Sequence, residues 1–231
     1  DRDFVFTCVG NDNDLREVTL GENGLFHSIK KKAVYIDNTT ASAEIARELY
    51  KNAKSKDFYF LDAPVSGGQA GAENGALTVM IGGDEESFKK ASPIIDCYSK
   101  KMKLLGPAGN GQLAKMVNQI CIAGVVQGLS EAINFGLNAK LKMEDVIETI
   151  SKGAAQSWQM ENRYKTMIDD KFDYGFAVDW MRKDLKIAME EAKRNNSPLP
   201  ITKIIDEYYS EVQKMGGNRW DTSSLIKRFR K

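Results

Sequence analysis

Apolar residues follow two rhythms along the chain, and the change of rhythm divides it. In the first half, short apolar runs alternate with polar stretches of helical spacing. Asp3 to Val9 (DFVFTCV), Ala33 to Asp37 (AVYID), Phe58 to Leu61, Ala76 to Gly83 (ALTVMIGG) and Met102 to Leu105 each read as a strand. Between them, Asn11 to Leu20 and the acidic-led Asp84 to Tyr98 read as helices. So does a segment capped by Thr40 or Ser42, with the apolar stripe Ile45, Leu49 and Ala53. Such alternation predicts a largely parallel α/β sheet.

After Gly106-Pro107 the strands stop. Gln112 to Asn138 is one long, mostly apolar stretch carrying the small residues Ala123, Gly124 and Gly128, as expected of a helix buried by close neighbours. Further helices are predicted at about Met143 to Ser151, Trp158 to Asp169, Val178 to Asn195 and Ile201 to Met215, the last two separated by NNSPLP. The expected fold class is therefore α/β plus all-α: a sheet domain over residues 1–106, then an all-helical domain over 107–231 built on the long helix.

Composition narrows the function. In 231 residues, Lys and Arg number 33 against 32 Asp and Glu, a net charge of +1 that offers no field for nucleic acid or an anionic membrane. The 42% hydrophobic and 28% charged residues suit a folded chain. Cys8, Cys97 and Cys121 are scattered and odd in number, and His27 is the single histidine, read as a surface loop residue. A disulfide framework, a metal site and a Ser-His triad are therefore not expected, and a reducing, cytoplasmic setting is. No apolar run is expected to span a membrane, and Asp1-Arg2-Asp3 is no signal peptide.

Candidate chemistry lies in three places. DAPVSGG (Asp62 to Gly68) leaves a strand end, where Ser66 and the N–H groups of Gly67 and Gly68 could bind a small anion; alone, such a loop is more often a plain turn. GNGQLAKMVNQ (Gly109 to Gln119) opens the long helix and sets Lys115, Asn118 and Gln119 on one otherwise apolar face, where a desolvated lysine can serve as general acid and base; the plain alternative is that Lys115 reaches solvent. GFAVDWMRKDLKIA (Gly175 to Ala188) spaces Asp179 and Lys183, then Trp180 and Asp184, four apart, and an exposed Asp179–Lys183 ion pair is its simplest reading. Lys30 to Lys32 reads as a solvated turn, and the tail Lys227, Arg228, Arg230 and Lys231 as a solvated helix end.

In this order and at these separations the three segments resemble the β-hydroxyacid dehydrogenase family, from Phe4 to Leu225. GGQAGAENGALTVMIGGD (Gly67 to Asp84) is especially similar to its 3-hydroxyisobutyrate dehydrogenase branch, a family that includes tartronate semialdehyde reductase. The resemblance implies a Rossmann-like sheet, a 6-phosphogluconate dehydrogenase-like C-terminal domain for substrate binding and dimerisation, and NAD or NADP as cofactor. It implies hydride transfer to or from a small β-hydroxyacid or its semialdehyde, and a homodimer or homotetramer. By residue, it makes Lys115 the proton carrier and gives the substrate hydroxyl or carbonyl to Asn118 and Gln119. It gives the substrate carboxylate to Ser66, Gly67 and Gly68, and the dinucleotide to Asn11, Thr40 and Lys183. Some members carry two asparagines where this chain has Asn118 and Gln119, a difference that bears on substrate choice.

One motif of the family is missing: no GxGxxG turn precedes Asp3. The expectation is a chain that starts partway through the nucleotide domain, binds NAD or NADP weakly or not at all, and leaves the choice between them unread. The rival expectation is a non-catalytic truncated homologue that keeps only dimerisation or binding.

Overall fold

The computed structural model describes residues 2–230, so Asp1 and Lys231 of the sequence reading lie outside the described residues. Two compact units are present, Asp1–Asn118 and Gln119–Lys231.

The first unit runs β1 (Phe4–Thr7), α1 (Asp12–Leu20), β2 (Val34–Asp37), α2 (Ala43–Ser55), β3 (Tyr59–Asp62), β4 (Val65–Ser66), α3 (Gly68–Glu73), β5 (Leu77–Gly83), α4 (Glu85–Ile95) and β6 (Ser99–Leu104). The cap of α2 is Ser42, whose hydroxyl accepts from the Ile45 N–H, and Asn11 caps α1 through the Asn13 and Asp14 N–H groups. β1, β2 and β3 pair in parallel, in a register that sets Thr7, Asp37 and Asp62 side by side at their C-terminal ends. Leu15, Ile45 and Leu49 of α1 and α2 pack with Phe26, Tyr35, Phe58 and Phe60. Ala91 and Ile95 of α4 pack with Val34, Ile36, Leu61, Val79 and Ile81. The strands read as apolar runs because helices cover both faces of the sheet.

The sheet is less uniformly parallel than the alternation predicts. β5 is parallel to β6 but antiparallel to both β3 and β4. Only residues 67–76, holding the six-residue α3, separate β4 from β5, fewer than the dozen or more that a parallel return needs, so these two strands pair antiparallel.

The long helix α5 (Asn110–Asn138) begins in the first unit and continues into the second, followed by α6 (Met143–Ile150), α7 (Trp158–Ile168), α8 (Val178–Arg194), α9 (Pro200–Lys214) and a 3-10 run at Thr222–Phe229. Ala123 and Val126 pack with Met181, Leu185, Ile205, Tyr209 and Leu225. Further along, Leu129 and Ile133 pack with Ile147, Met160, Met167 and Ile226. Contrary to the sequence expectation, α5 is long and apolar enough to cross a membrane. One face of it, at Ala123 and Val126, packs against α8, α9 and the 3-10 run. Val117, Val125 and Phe135 remain exposed, and a Cβ built on Gly124 or Gly128 meets nothing within 4 Å.

The basic tail is not a solvated helix end. Leu225 and Ile226 are fully buried, and cations after them are tied down: Lys227 and Arg230 to Asp170 at 2.6 and 2.8 Å, and Arg228 to Glu211 at 2.7 Å. These partners stand far away in sequence, which is why the tail read as a plain charge run. Lys30 and Lys32 are exposed, as expected of a solvated turn, and pair with Asp3 and Asp57.

Candidate active site

In the first unit the site is organised around the end of β3. Asp62 is fully buried and accepts from the Gly109 N–H at 2.8 Å and the Gln112 N–H at 3.0 Å, binding the start of α5 to the sheet. Burial pushes its carboxyl above the ordinary range, while the N–H groups of Gly109, Gln112 and Gly111 pull it down. The approach is close enough to require glycine. A Cβ on Gly111 would stand 2.5 Å from the Met80 carbonyl oxygen, and one on Gly82 would stand 2.5 Å from Asp62 Oδ1. The anchored turn carries Lys115, which is buried and whose Nζ donates to the Val65 carbonyl at 2.9 Å. Lys115 therefore does not reach out to solvent from the first turns of α5, and it lies beside the loop that Ser66 begins.

Ser66 is half-buried, Gly67 and Gly68 are exposed, and both glycines have positive φ, 136° and 62°. Asn118 follows Lys115 on α5, half-buried. Asn11 and Thr40, also half-buried, follow β1 and β2 at the carboxyl ends of the parallel strands, the ligand-binding edge of such sheets.

In the second unit, Gln119 is buried and its Nε2 donates to Asp184 Oδ2 at 2.7 Å, while Lys183 Nζ stands 3.0 Å from Asp184 Oδ1. Asp179, expected to pair with Lys183, accepts from Gln213 and Asn218. The structure thus gathers Lys115 and the Ser66 loop in one unit, and Gln119 and Lys183 around Asp184 in the other.

Sequence reading assigned no role to Asp37, Asp62, Gln112 or Asp184. For Asp62 a signal existed: an acidic residue closing a strand, with a glycine-rich helix start further on. Asp37 is fully buried, and its Oδ1 accepts from the Thr7 hydroxyl and the Thr39 N–H, both at 3.0 Å. Burial pushes its carboxyl up to about 7, against the pull of Thr39 and Thr7, and nearby Asp62 adds to the rise.

Two family models together cover most of the chain. "NAD binding domain of 6-phosphogluconate dehydrogenase" matches residues 1–106, and "NAD-binding of NADP-dependent 3-hydroxyisobutyrate dehydrogenase" matches residues 109–229. An uncharacterized oxidoreductase of Shewanella frigidimarina is 62% identical over 230 residues, covering 100% of this chain and 79% of the relative. The 2-hydroxy-3-oxopropionate reductase of Escherichia coli is 32% identical, over 97% of this chain and 77% of its own. The crystal structure of 3-hydroxyisobutyrate dehydrogenase from Salmonella typhimurium superposes with a TM-score of 0.88 at 28% identity, over 98% of this chain and 79% of that one. With both halves matched to nicotinamide-dinucleotide-binding domains and relatives aligned over most of their own length, the chain belongs to the β-hydroxyacid dehydrogenase family of NAD(P)-dependent oxidoreductases.

Proposed function

We propose that the chain is a dehydrogenase of a small β-hydroxyacid or its semialdehyde, with Lys115 as proton carrier. The observation that carries this reading is the bond from Lys115 Nζ to the Val65 carbonyl, which sets the amine one residue from Ser66. A carboxylate held by the Ser66 hydroxyl and the Gly67 and Gly68 N–H groups would present its β-carbon oxygen to that amine. In reduction the Lys115 ammonium gives its proton to the forming alkoxide; in oxidation the neutral amine takes the hydroxyl proton. Asn118 and Gln119 hold the same oxygen, and the bond from Gln119 Nε2 to Asp184 fixes the orientation of that carboxamide.

NAD or NADP, when bound, gives or takes hydride at C4 of nicotinamide. The donor set suits its neutral parts: Asn11 and Thr40 on the carboxyl-end loops would meet the sugars, and Lys183 the nicotinamide end. The start of α1 offers no further anion site, since Asp12 and Asp14 occupy its first turn. A second reading is a family member that binds substrate but holds dinucleotide too weakly to turn over. Calorimetric titration separates the two: micromolar affinity for either dinucleotide supports the enzyme, and none supports the second reading. We also place self-association on the helical unit, supported by the exposed Val125 and Phe135 of α5.

The test of mechanism is Lys115→Ala, expected to lower kcat by about a hundredfold or more. Lys115→Arg should fail as well, because a guanidinium keeps its proton near neutral pH. Near-native turnover in Lys115→Ala ends the proposal.

A further inference from the structure

Gln112 plays no part in this proton transfer, yet it is fully buried and both ends of its carboxamide are used. Nε2 donates to the Thr39 carbonyl at 2.8 Å, and Oε1 accepts from the Ala41 N–H at 3.0 Å. The side chain therefore pairs with the backbone on both sides of Thr40, as a neighbouring strand would. Its own N–H is held by Asp62, and Lys115 stands one turn further along the same helix. The Thr39 hydroxyl in turn accepts from the Val9 N–H at 3.0 Å, which draws the loop after β1 into the same network. One side chain thus ties the loops at the carboxyl ends of β1 and β2 to the turn of α5 that carries Lys115.

We propose that Gln112 is a positioning residue that sets the spacing between the Thr40 loop, where the dinucleotide lies, and Lys115. This rests on the functional reading above. The chemistry admits few substitutes: the position requires a donor and an acceptor on one planar group at this reach. Asparagine is a methylene too short, and an ionised glutamate has no donor to offer Thr39.

Gln112→Glu tests this without changing the shape of the side chain. Ionised, the glutamate sets two acceptors against each other at the Thr39 carbonyl; protonated, its O–H donates there while the other oxygen accepts from Ala41. Burial and the carboxylates of Asp62 and Asp37 on the adjacent strands raise its pKa, against Lys115 and the Arg47 side chain beside Gly109. Amide hydrogen-exchange protection is read in the full chain at about pH 8 and about pH 5.5. At the higher pH, protection of Ala41 should fall about tenfold or more, returning to within about twofold of native at the lower pH. The amides of Tyr35 and Phe60 in the sheet core should keep native protection throughout. Gln112→Met, which fills the space without either bond, should lose Ala41 protection at both pH values. Dinucleotide affinity measured alongside should follow the same pattern.

Native protection of Ala41 at the higher pH overturns the proposal, as does a loss spread evenly over the sheet. Dinucleotide affinity that stays native while Ala41 loses protection also overturns it. A native chain that binds neither NAD nor NADP overturns the functional reading instead, and the two failures stay distinct because the exchange measurement needs no ligand.

Discussion

Asp37 and Asp62 stand side by side in register at the ends of neighbouring parallel strands, both fully buried, yet the fold uses them differently. Asp62 spends both oxygens on backbone N–H groups at the start of α5 and thereby anchors the helix that carries Lys115. Asp37 spends Oδ1 on the loop after β2 and on Thr7, and its Oδ2 has no hydrogen-bond partner among the described residues. A buried carboxylate next to a helix start becomes a structural anchor. One strand away, without a helix to receive it, the same group becomes a proton-binding position.

Removing the anchor should have the largest effect. Asp62→Ala leaves the Gly109 and Gln112 N–H groups buried and unpaired, and is expected to cost about 3 kcal/mol in urea denaturation, with activity lost as the Lys115 turn loosens. Gly111→Ala attacks the same junction from the helix side. Its methyl would lie 2.5 Å from the Met80 oxygen and 2.6 Å from the Asp62 oxygen, both backbone atoms that cannot swing away. The expected loss is about 2 kcal/mol in the same experiment.

Asp37 should show itself through pH. Its carboxyl titrates near 7 in the folded chain and near 3.8 when unfolded, so between those values the folded chain binds the extra proton. Stability should therefore fall as pH rises from about 4 to about 7, with the loss complete above that. Asp37→Asn should reduce that slope, leaving the part that the raised carboxyl of Asp62 supplies, which melting temperatures across the window will read; an unchanged slope would assign it to other groups. The smallest effect belongs to an exposed carboxylate at the opposite end of the same sheet. Asp57 pairs with Lys32 at 2.7 Å, both exposed, and Lys32→Ala should leave the melting temperature within about 1 °C.

The difference between the two aspartates also marks how far the sequence could be read. Strand positions, helix periodicity and the DAPVSGG and GNGQLAKMVNQ segments are local patterns, and the structure places them on strand ends and a helix start. The antiparallel pairing of β4 with β5 depends on how little chain separates them, and apolar periodicity carries no strand direction. Asp62 opens DAPVSGG, but its partners Gly109 and Gln112 come from a distant segment. No local pattern singles out Gln112, because the groups it satisfies at Thr39 and Ala41 are backbone atoms with no signature of their own. Asp184 read as one half of an i,i+4 pair because the Gln119 that meets it lies two helices and a long stretch of chain away.

Mechanically, α5 is two different materials. At its start, Gly109 and Gly111 are pressed against neighbouring atoms, and a force on that turn is passed straight into the sheet through Asp62. Further along, a Cβ built on Gly124 or Gly128 would meet nothing within 4 Å, and glycine resists a change of backbone angle least of all residues, so curvature costs α5 less there than at the turn holding Lys115.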